Sequence, residues 1–314
     1  MRTIVKKTGV LIGTLVIISM LAFLAFQIIP GDPTTKLLGD DWTEQRAASL
    51  REELGLTGNV FVRYGRWLVG FVTGDAGTSY SYDMPVSEVL DGKIGATAAL
   101  SVMSWLMVIV LAVPAGIALA RMEGRGIDRA LSGVNQVMMA VPPFFLGIVL
   151  TWLFGIVFRV FVPGQYISLR EDFWGGLGYL VFPALAIALP KAAMVTRLLR
   201  AGIVKQLKDE DYVRTAFSRG NSRRVVIRRH VLRNALLPVI TFVAMTLADI
   251  VAGSIIIEQV FVIPGMGRML LLSISNRDYP VVQAIVVIIS FVVVFMNYLA
   301  DLVNRLVDPR IRLS

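Results

Sequence analysis

Six stretches of about 20 mainly apolar residues restrict the fold of this chain more than any other feature. A helix of that length crosses the hydrocarbon core of a bilayer, where only helices and closed barrels satisfy their backbone hydrogen-bonding groups. The sequence therefore predicts an all-α polytopic membrane protein with six transmembrane helices. The windows are 9–29, 98–120, 137–158, 177–195, 236–257 and 281–299.

Composition supports a membrane body and not a soluble domain. The chain is 56% hydrophobic and 17% charged, whereas soluble domains average about a quarter charged residues. The first window follows Lys6 and Lys7, as the apolar run of a signal peptide would. Its run is longer than the roughly 7–15 residues of such a peptide, and no small-residue cleavage pattern follows. We therefore expect this window to be retained as a span.

The basic residues indicate the orientation. With the N-terminus inside, the inner segments hold 21 of the 31 Lys and Arg residues, as the positive-inside rule requires. Both termini are then predicted to be cytoplasmic. The net charge of +9 is accounted for by topology and by contact with membrane lipid, so no nucleic-acid partner is expected.

Three segments follow from these windows. Residues 1–29 form the inner N-terminus and first span, residues 30–96 an extracytoplasmic loop with short helices, and residues 97–314 a five-helix core that contains the inner loop 196–235. In the outer loop, Thr43 is predicted to cap a helix TEQRAASLREEL that ends near Gly55. The stretch VFVRYGRWLVGFV is predicted to form a second helix at the membrane interface.

The inner loop carries a short helix pattern before its arginines. Acids at 209–211 suit a helix N-terminus, and Gly220 suits a left-handed stop. Val213, Ala216 and Phe217 fall on one face, a pattern that favours docking into a groove on a partner. Ser222 is predicted to cap a second, basic helix that runs to Pro238. The positive-inside rule and lipid phosphates together are one explanation of its arginines, and contact of some of them with the partner is the other.

These residues resemble a known family. YVRTAFSRG followed by RHVLRNALLP is similar to the cytoplasmic EAA signature of bacterial ABC importer permeases, in the form of the dipeptide/oligopeptide/nickel subfamily. The general signature has a glutamate where this chain has Arg214, and its spacing from Gly220 to Leu237 and Pro238 is shorter. The likeness continues through IIPGDPTT, LREELGL, GDAGTSYSYDMPVSEVL, VPPFFLGI, IIIEQVFVIPGMGRMLLLSISNRDYPVVQ and LVDPRIR.

The resemblance implies a type I ABC importer permease fold, a place in a bacterial cytoplasmic (inner) membrane, and a set of partners. This chain would pair with a second homologous permease subunit above two cytoplasmic ABC ATPase subunits, and an extracytoplasmic solute-binding protein would deliver substrate. ATP and Mg would be bound by the ATPases, with no cofactor in this chain. The coupling helix seated in the ATPase would comprise Tyr212, Val213, Arg214, Thr215, Ala216, Phe217, Arg219 and Gly220.

The residues themselves indicate that this subunit is not an enzyme. There is no G-x-x-x-x-G-K-[ST] phosphate loop, no paired catalytic acid and base, and no nucleophile elbow, so no catalytic residue is assigned. The absence of cysteine and the single histidine, His230, argue against a metal site. The energy source is therefore expected on partner subunits.

Two acids in or near the fifth window are pore candidates. Asp249 lies inside an apolar window, where a carboxylate usually faces a cavity or a partner. It is interpreted either as a pore-lining group that meets an amine or cation, or as a hydrogen-bonding group to the paired permease. Glu258, near the outer end, is a candidate for an outer gate or binding-protein contact. Lys191 is expected to extend to the inner interface.

Substrate and class leave alternatives open. Peptide uptake is preferred, and nickel chelates or glutathione fit the same subfamily pattern. A stand-alone secondary transporter is the main rival class, but it would show repeated halves and midplane ion sites. A channel would need rings of charged or carbonyl groups. Prolines 114, 142, 143, 183 and 190 interrupt three windows and are interpreted mainly as helix kinks.

Overall fold

The computed structural model describes residues 2–28 and 33–307, and in this part of the chain the regular structure is helical apart from one isolated bridge, Thr78 to Pro85. The blocks IIPGDPTT and LVDPRIR lie partly outside the described residues. The helices are α1 (Arg2–Ile28), α2 (Pro33–Leu38), α3 (Glu44–Glu53), α4 (Val60–Thr73), α5 (Val86–Val89), α6 (Lys93–Arg121), α7 (Gly126–Ala140), α8 (Pro143–Leu150), α9 (Phe173–Asp209), α10 (Asp211–Ser218), α11 (Arg223–Val226), α12 (Leu232–Val260), α13 (Met266–Asn276) and α14 (Tyr279–Val307).

The described residues contain five helices long and apolar enough to cross a membrane. They are α1, α6, α9, α14 and the continuous run 223–260 that ends in α12. A sixth span exists if α7 and α8 are counted as one, although the two are bent by 101°. The prediction of an all-helical polytopic protein is thus confirmed.

The window 137–158, which Pro142 and Pro143 were predicted to interrupt, is broken between α7 and α8. Val141 and Pro142 have extended backbones between α7 and α8. Pro143 is the first residue of α8. A backbone N–H at that position makes no hydrogen bond within the helix, so proline is tolerated there. A residue before proline is driven to extended conformations, and two consecutive prolines apply that restriction to both positions. Pro114, Pro183 and Pro190, in contrast, lie inside continuous helices.

Clustering of contacts divides the chain into two compact units. The first comprises residues 1–97 and 264–294, and the second comprises residues 98–263 and 295–314. The second unit is built around α9, whose side chains are buried along most of its length. Helix α6 approaches it closely: a Cβ on Gly116 would lie 3.0 Å from the side chain of Leu199. Trp105 of α6 also donates its indole N–H to the Val243 carbonyl of α12, at 2.9 Å.

Helices α9 and α12 pack antiparallel in a fixed register. The Tyr179 hydroxyl donates a hydrogen bond to the Phe261 carbonyl at one end. At the other end, a Cβ on Gly202 would lie 3.6 Å from the Cβ of Ala235. Between these two contacts, Lys191 Nζ lies 3.5 Å from Asp249 Oδ2. The register brings residues of distant sequence position to the same level of the unit.

In the first unit, α4 packs against α1. Tyr64 donates to the Val16 carbonyl at 3.2 Å, and its hydroxyl lies 2.8 Å from that of Ser19. The predicted cap of α3 is confirmed, since Thr43 accepts from the Arg46 N–H. The helix predicted from VFVRYGRWLVGFV is confirmed as α4. Its place at the membrane interface remains a prediction.

Within the first unit, a buried carboxylate links the segment after α4 to the short connection between α13 and α14. Asp278 is fully buried. It accepts hydrogen bonds from the Ser79 hydroxyl at 2.5 Å, the Tyr80 N–H at 3.0 Å and the Ser81 N–H at 3.3 Å. Burial raises the pKa of Tyr80 to about 12, although the charge of Arg63 lowers it in part. The turn 79–81 is therefore held by a charged acceptor nearly 200 residues away.

This anchor predicts a difference between two neighbouring serines. Ser79→Ala removes the hydroxyl that donates to Asp278, and should weaken the attachment of the turn by about 1–3 kcal/mol. Ser81→Ala is the matched control because Ser81 donates only through its backbone. Limited proteolysis of residues 74–85 in the folded protein checks the prediction. Equal protection of the two variants would contradict it.

Candidate coupling site

The short helix α10 lies where the inner loop pattern predicted it. It spans Asp211–Ser218, with Glu210 in the N-cap position and Asp211 in the first turn. No side-chain cap hydrogen bond is present at Glu210, so the acids act there through the helix dipole. The helix ends before Gly220, whose φ is +79°, and the Asn221 amide donates to the Ala216 carbonyl at 3.0 Å. Gly220 is thus confirmed as the left-handed stop.

The apolar face of α10, which the sequence predicted to contact a partner, is partly buried within the chain and partly exposed. Val213 and Ala216 are buried within the chain, whereas Phe217 is 40% exposed and Tyr212, Arg214, Thr215 and Arg219 are exposed too. Both side chains anchor α10 to its own chain, and their contact with a partner stays a prediction. Phe217 remains the apolar side chain of that set that a partner can reach.

Tyr212 and a small cavity connect α10 to the helices beside it. The Tyr212 hydroxyl donates to the Gln206 side-chain oxygen and accepts from the Asn234 amide at 3.3 Å. A cavity of about 290 Å³ lies beside α10 and is lined by Tyr212, Thr215, Ala216, Arg219, Asn221 and His230. No group of residues able to hold a metal is found in the described part of the chain.

An acid after α6 connects both ends of the α10 segment. Glu123 Oε1 lies 2.7 Å from Lys208 Nζ near the end of α9. Glu123 Oε2 lies 3.2 Å from a guanidinium nitrogen of Arg223, the first residue of α11. Arg223 also donates to the Ala120 carbonyl at 3.3 Å. We call Glu123, Lys208 and Arg223 the Glu123 clamp. Because its two cations flank residues 209–222, it restricts the loop that carries α10.

A second acid of the same segment is bound more tightly. Asp128 is buried and receives two hydrogen bonds from Arg200 of α9, at 3.0 and 2.7 Å. The Gly124 N–H donates to it at 3.2 Å. Such a paired, two-point contact is the strongest geometry for an arginine and a carboxylate. It joins the first turn of α7 to α9.

Sequence reasoning did not single out Glu123 or Asp128. The usable signal is charge: they are the two acids between residues 98 and 170, and the inner segment in which they lie is otherwise basic. The arginines of the loop were interpreted as topology and lipid contacts. For Arg223 the structure adds a defined partner within the protein.

The two pore candidates have different surroundings. Asp249 is 70% exposed and pairs with Lys191, whose side chain is 20% exposed. Lys191 was expected to extend to the inner interface, but the fixed register of α9 and α12 instead directs its ammonium group to Asp249. Glu258 is completely buried in the chain. Its carboxylate is thus not presented at the surface, as contact with a binding protein would require.

Long apolar helices, with a short and partly exposed helix held between two of them by ion pairs, define a helical membrane protein. The family model for binding-protein-dependent transport system inner membrane components matches residues 112–313, and the model for the N-terminal part of such components matches residues 1–101. The chain therefore belongs to the binding-protein-dependent transport system inner membrane component family, the permease subunits of ABC importers.

Relatives and solved structures agree with that family. The chain is 32% identical over 311 residues to an oligopeptide transport system permease of Bacillus subtilis, covering 98% of both chains. It is 32% identical over 309 residues to a glutathione transport system permease of Salmonella paratyphi A, again covering 98% of both. A structure of the MetNI methionine ABC transporter in an inward-facing conformation has a TM-score of 0.57 at 15% identity, covering 70% of this chain and 96% of that one. The last likeness concerns the fold alone.

The Glu123 clamp gives a test of how the loop is held. Glu123→Gln removes the charge that attracts Lys208 and Arg223. Partly exposed ion pairs contribute about 0–1 kcal/mol each, so the two together should contribute up to about 2 kcal/mol. Trypsin should then cleave between residues 205 and 233 several-fold faster.

Asp209→Asn is the matched control for this variant. It makes the same acid-to-amide change at an exposed position next to Lys208. Cleavage of the Glu123→Gln protein at the rate of the Asp209→Asn protein would show that the clamp does not restrict the loop.

Proposed function

We propose that this chain forms half of a translocation pore for short peptides. A second permease subunit would supply the other half, two cytoplasmic ATPases would bind below, and an extracytoplasmic binding protein would deliver the peptide. Membership of the family supports the general scheme. The choice of peptides is supported by full-length similarity to oligopeptide and dipeptide permeases.

The observation that carries the coupling role is the presentation of α10. Val213 and Ala216 attach one side of the helix to the chain, and the Glu123 clamp restrains both ends of its segment. Phe217, on a helix of only eight residues, and Arg219, directly after that helix, remain exposed. An apolar side chain on a rigidly held helix suits insertion into a groove. ATP-driven movement of the ATPases would then be transmitted through α10 to α9 and α11.

Glutathione is the second candidate substrate. It is supported by 32% identity over 309 residues to a glutathione permease, and glutathione is itself a short peptide with free amino and carboxyl groups. Ligand binding by the cognate binding protein, measured by calorimetry with dipeptides, oligopeptides and glutathione, separates the two candidates.

The coupling role predicts the effect of a charge at Phe217. Phe217→Asp should leave the protein inserted in the membrane but lower peptide uptake about tenfold or more, because an anchoring side chain in a groove contributes disproportionately to binding. ATPase activity of the assembled complex should no longer respond to the loaded binding protein. Uptake and ATPase rate are measured together in proteoliposomes.

Val225→Asp is the matched control for Phe217→Asp. Val225 has almost the same exposure, 39%, but lies on α11. Normal uptake with a normal ATPase response in the Phe217→Asp protein would refute the role of α10. An equal defect in both variants would show that the effect is not specific to α10.

The proposed orientation can be tested with single cysteines, since the chain has none of its own. Ser49 and Ser222 are both exposed, in the outer loop and before α11 respectively. A membrane-impermeant maleimide added to intact cells should label Ser49→Cys and should leave Ser222→Cys unlabelled until the cells are opened. Labelling of Ser222→Cys from outside would contradict a cytoplasmic loop.

A further inference from the structure

An ion pair lies midway along two apolar helices of the second unit. Lys191 of α9 and Asp249 of α12 are 12 residues from the Tyr179–Phe261 contact. They lie 11 and 14 residues from the Gly202–Ala235 contact at the other end. At about 1.5 Å per residue, each end is about 17–21 Å away. Both residues therefore lie well inside the apolar helices and away from either end of the α9–α12 contact.

The carboxylate of this pair is open to the outside of the unit. Asp249 is 70% exposed, whereas Lys191 is 20% exposed. A charged group at this depth is strongly unfavourable against lipid, and usually faces a water-filled cavity or a protein partner. A pair that served only to hold α9 to α12 would have both charges enclosed between the helices. The open position of Asp249 instead suits a group that meets a mobile ligand.

The neighbouring side chains form an open face of suitable character. On α12, Met245, Asp249, Ala252 and Ile256 are exposed at intervals of three and four residues, so they lie in one stripe. On α9, Met194 is exposed one turn from Lys191 and at the level of Met245 in the antiparallel register. Methionine side chains are flexible and polarisable, and are common at surfaces that accept varied partners. We call this set the α9/α12 open face.

We propose that Lys191 and Asp249 bind the two charged ends of a short zwitterionic peptide as it moves along the α9/α12 open face. The inference rests on the proposed function, and adds to it the residues that recognise the substrate. The peptide ammonium group would pair with Asp249 and its carboxylate with Lys191. Lys191 and Asp249 would then separate from each other, but each would pair with an opposite charge of the peptide. Neither charge would be left unpaired at low dielectric.

The two residues suit different parts of this task. Asp249 has a short side chain on a helix that is buried on its opposite side, so its carboxylate stays at one position. Lys191 has a long flexible stem, and its ammonium group can follow a carboxylate over several ångströms. Peptides of different length can therefore bind the same amine site while the lysine adjusts. The methionines of the open face accept different side chains between the two ends.

Cysteine accessibility tests the position of this site, again because the chain has no native cysteine. Asp249→Cys and Ala252→Cys are prepared in the complete importer, reconstituted with its partner subunits and binding protein. A cationic methanethiosulfonate reagent, which reacts only where water reaches, is applied during turnover, and labelling is read from the mass of this subunit. Both cysteines should react, and a transported dipeptide should slow the reaction of Ala252→Cys, which retains both charges, about fivefold or more.

Ala252→Cys also keeps the test decisive if Asp249→Cys does not assemble, because it retains both charges. If the charged reagent reaches neither cysteine, the proposal is overturned. That result is expected if the face contacts lipid or is sealed against the second permease. If Ala252→Cys reacts but the dipeptide does not slow its reaction, the proposed substrate site is wrong. Labelling after denaturation confirms that each thiol is present.

Charge removal separates a ligand site from a structural pair. Asp249→Asn and Lys191→Met should each lower dipeptide uptake about tenfold, and the double variant should be no better than either. Recovery of uptake in the double variant would show that the pair only holds the helices, because a neutral pair leaves no buried charge unpaired. Uptake by the unchanged importer is measured in the same vesicles. If the unchanged importer takes up no dipeptide, the proposed function is wrong. If it takes up dipeptide but the cysteines do not react, only the proposed site is wrong.

Discussion

The antiparallel packing of α9 on α12 is the contact on which the functional features of the second unit depend. It begins where Tyr179 donates to the Phe261 carbonyl and continues to the close approach of Gly202 and Ala235. Its register places Lys191 beside Asp249. It also brings together the two ends of the segment 209–231, which contains α10. A slip of one residue in this register would move every one of these pairs, because successive helical positions point about 100° apart.

Charged residues then hold the last part of α9 and the start of α11. Asp128 binds Arg200, and Glu123 binds both Lys208 and Arg223. The turn between α6 and α7 therefore contacts α9 and α11, on either side of α10. A short helix has little stability of its own. Its rigidity must come from burial of Val213 and Ala216 and from these ion pairs, and a rigid helix is what mechanical coupling to an ATPase would need.

The described structure follows the sequence closely where local rules operate. Apolar length predicted the spans, Thr43 predicted the start of α3, and Gly220 predicted the end of α10. Helix and capping patterns did not decide the features that depend on residues far apart in sequence. The facing direction of α10 is one case, since the same periodicity fits a face buried in the chain or in a partner. Glu258 is another, because its burial depends on helices that its own sequence neighbourhood does not contain.

The amino-acid sequence determined that this chain is a helical membrane protein of the binding-protein-dependent importer family, because apolar length, loop charge and ordered motifs are all local properties. The tertiary structure alone decided that Asp278 anchors the turn at Ser79, that Glu123 connects both sides of α10, and that Lys191 meets Asp249. Each of these contacts joins residues on separate elements. Their pairing depends on helix register and packing, which hydropathy and motif spacing do not encode.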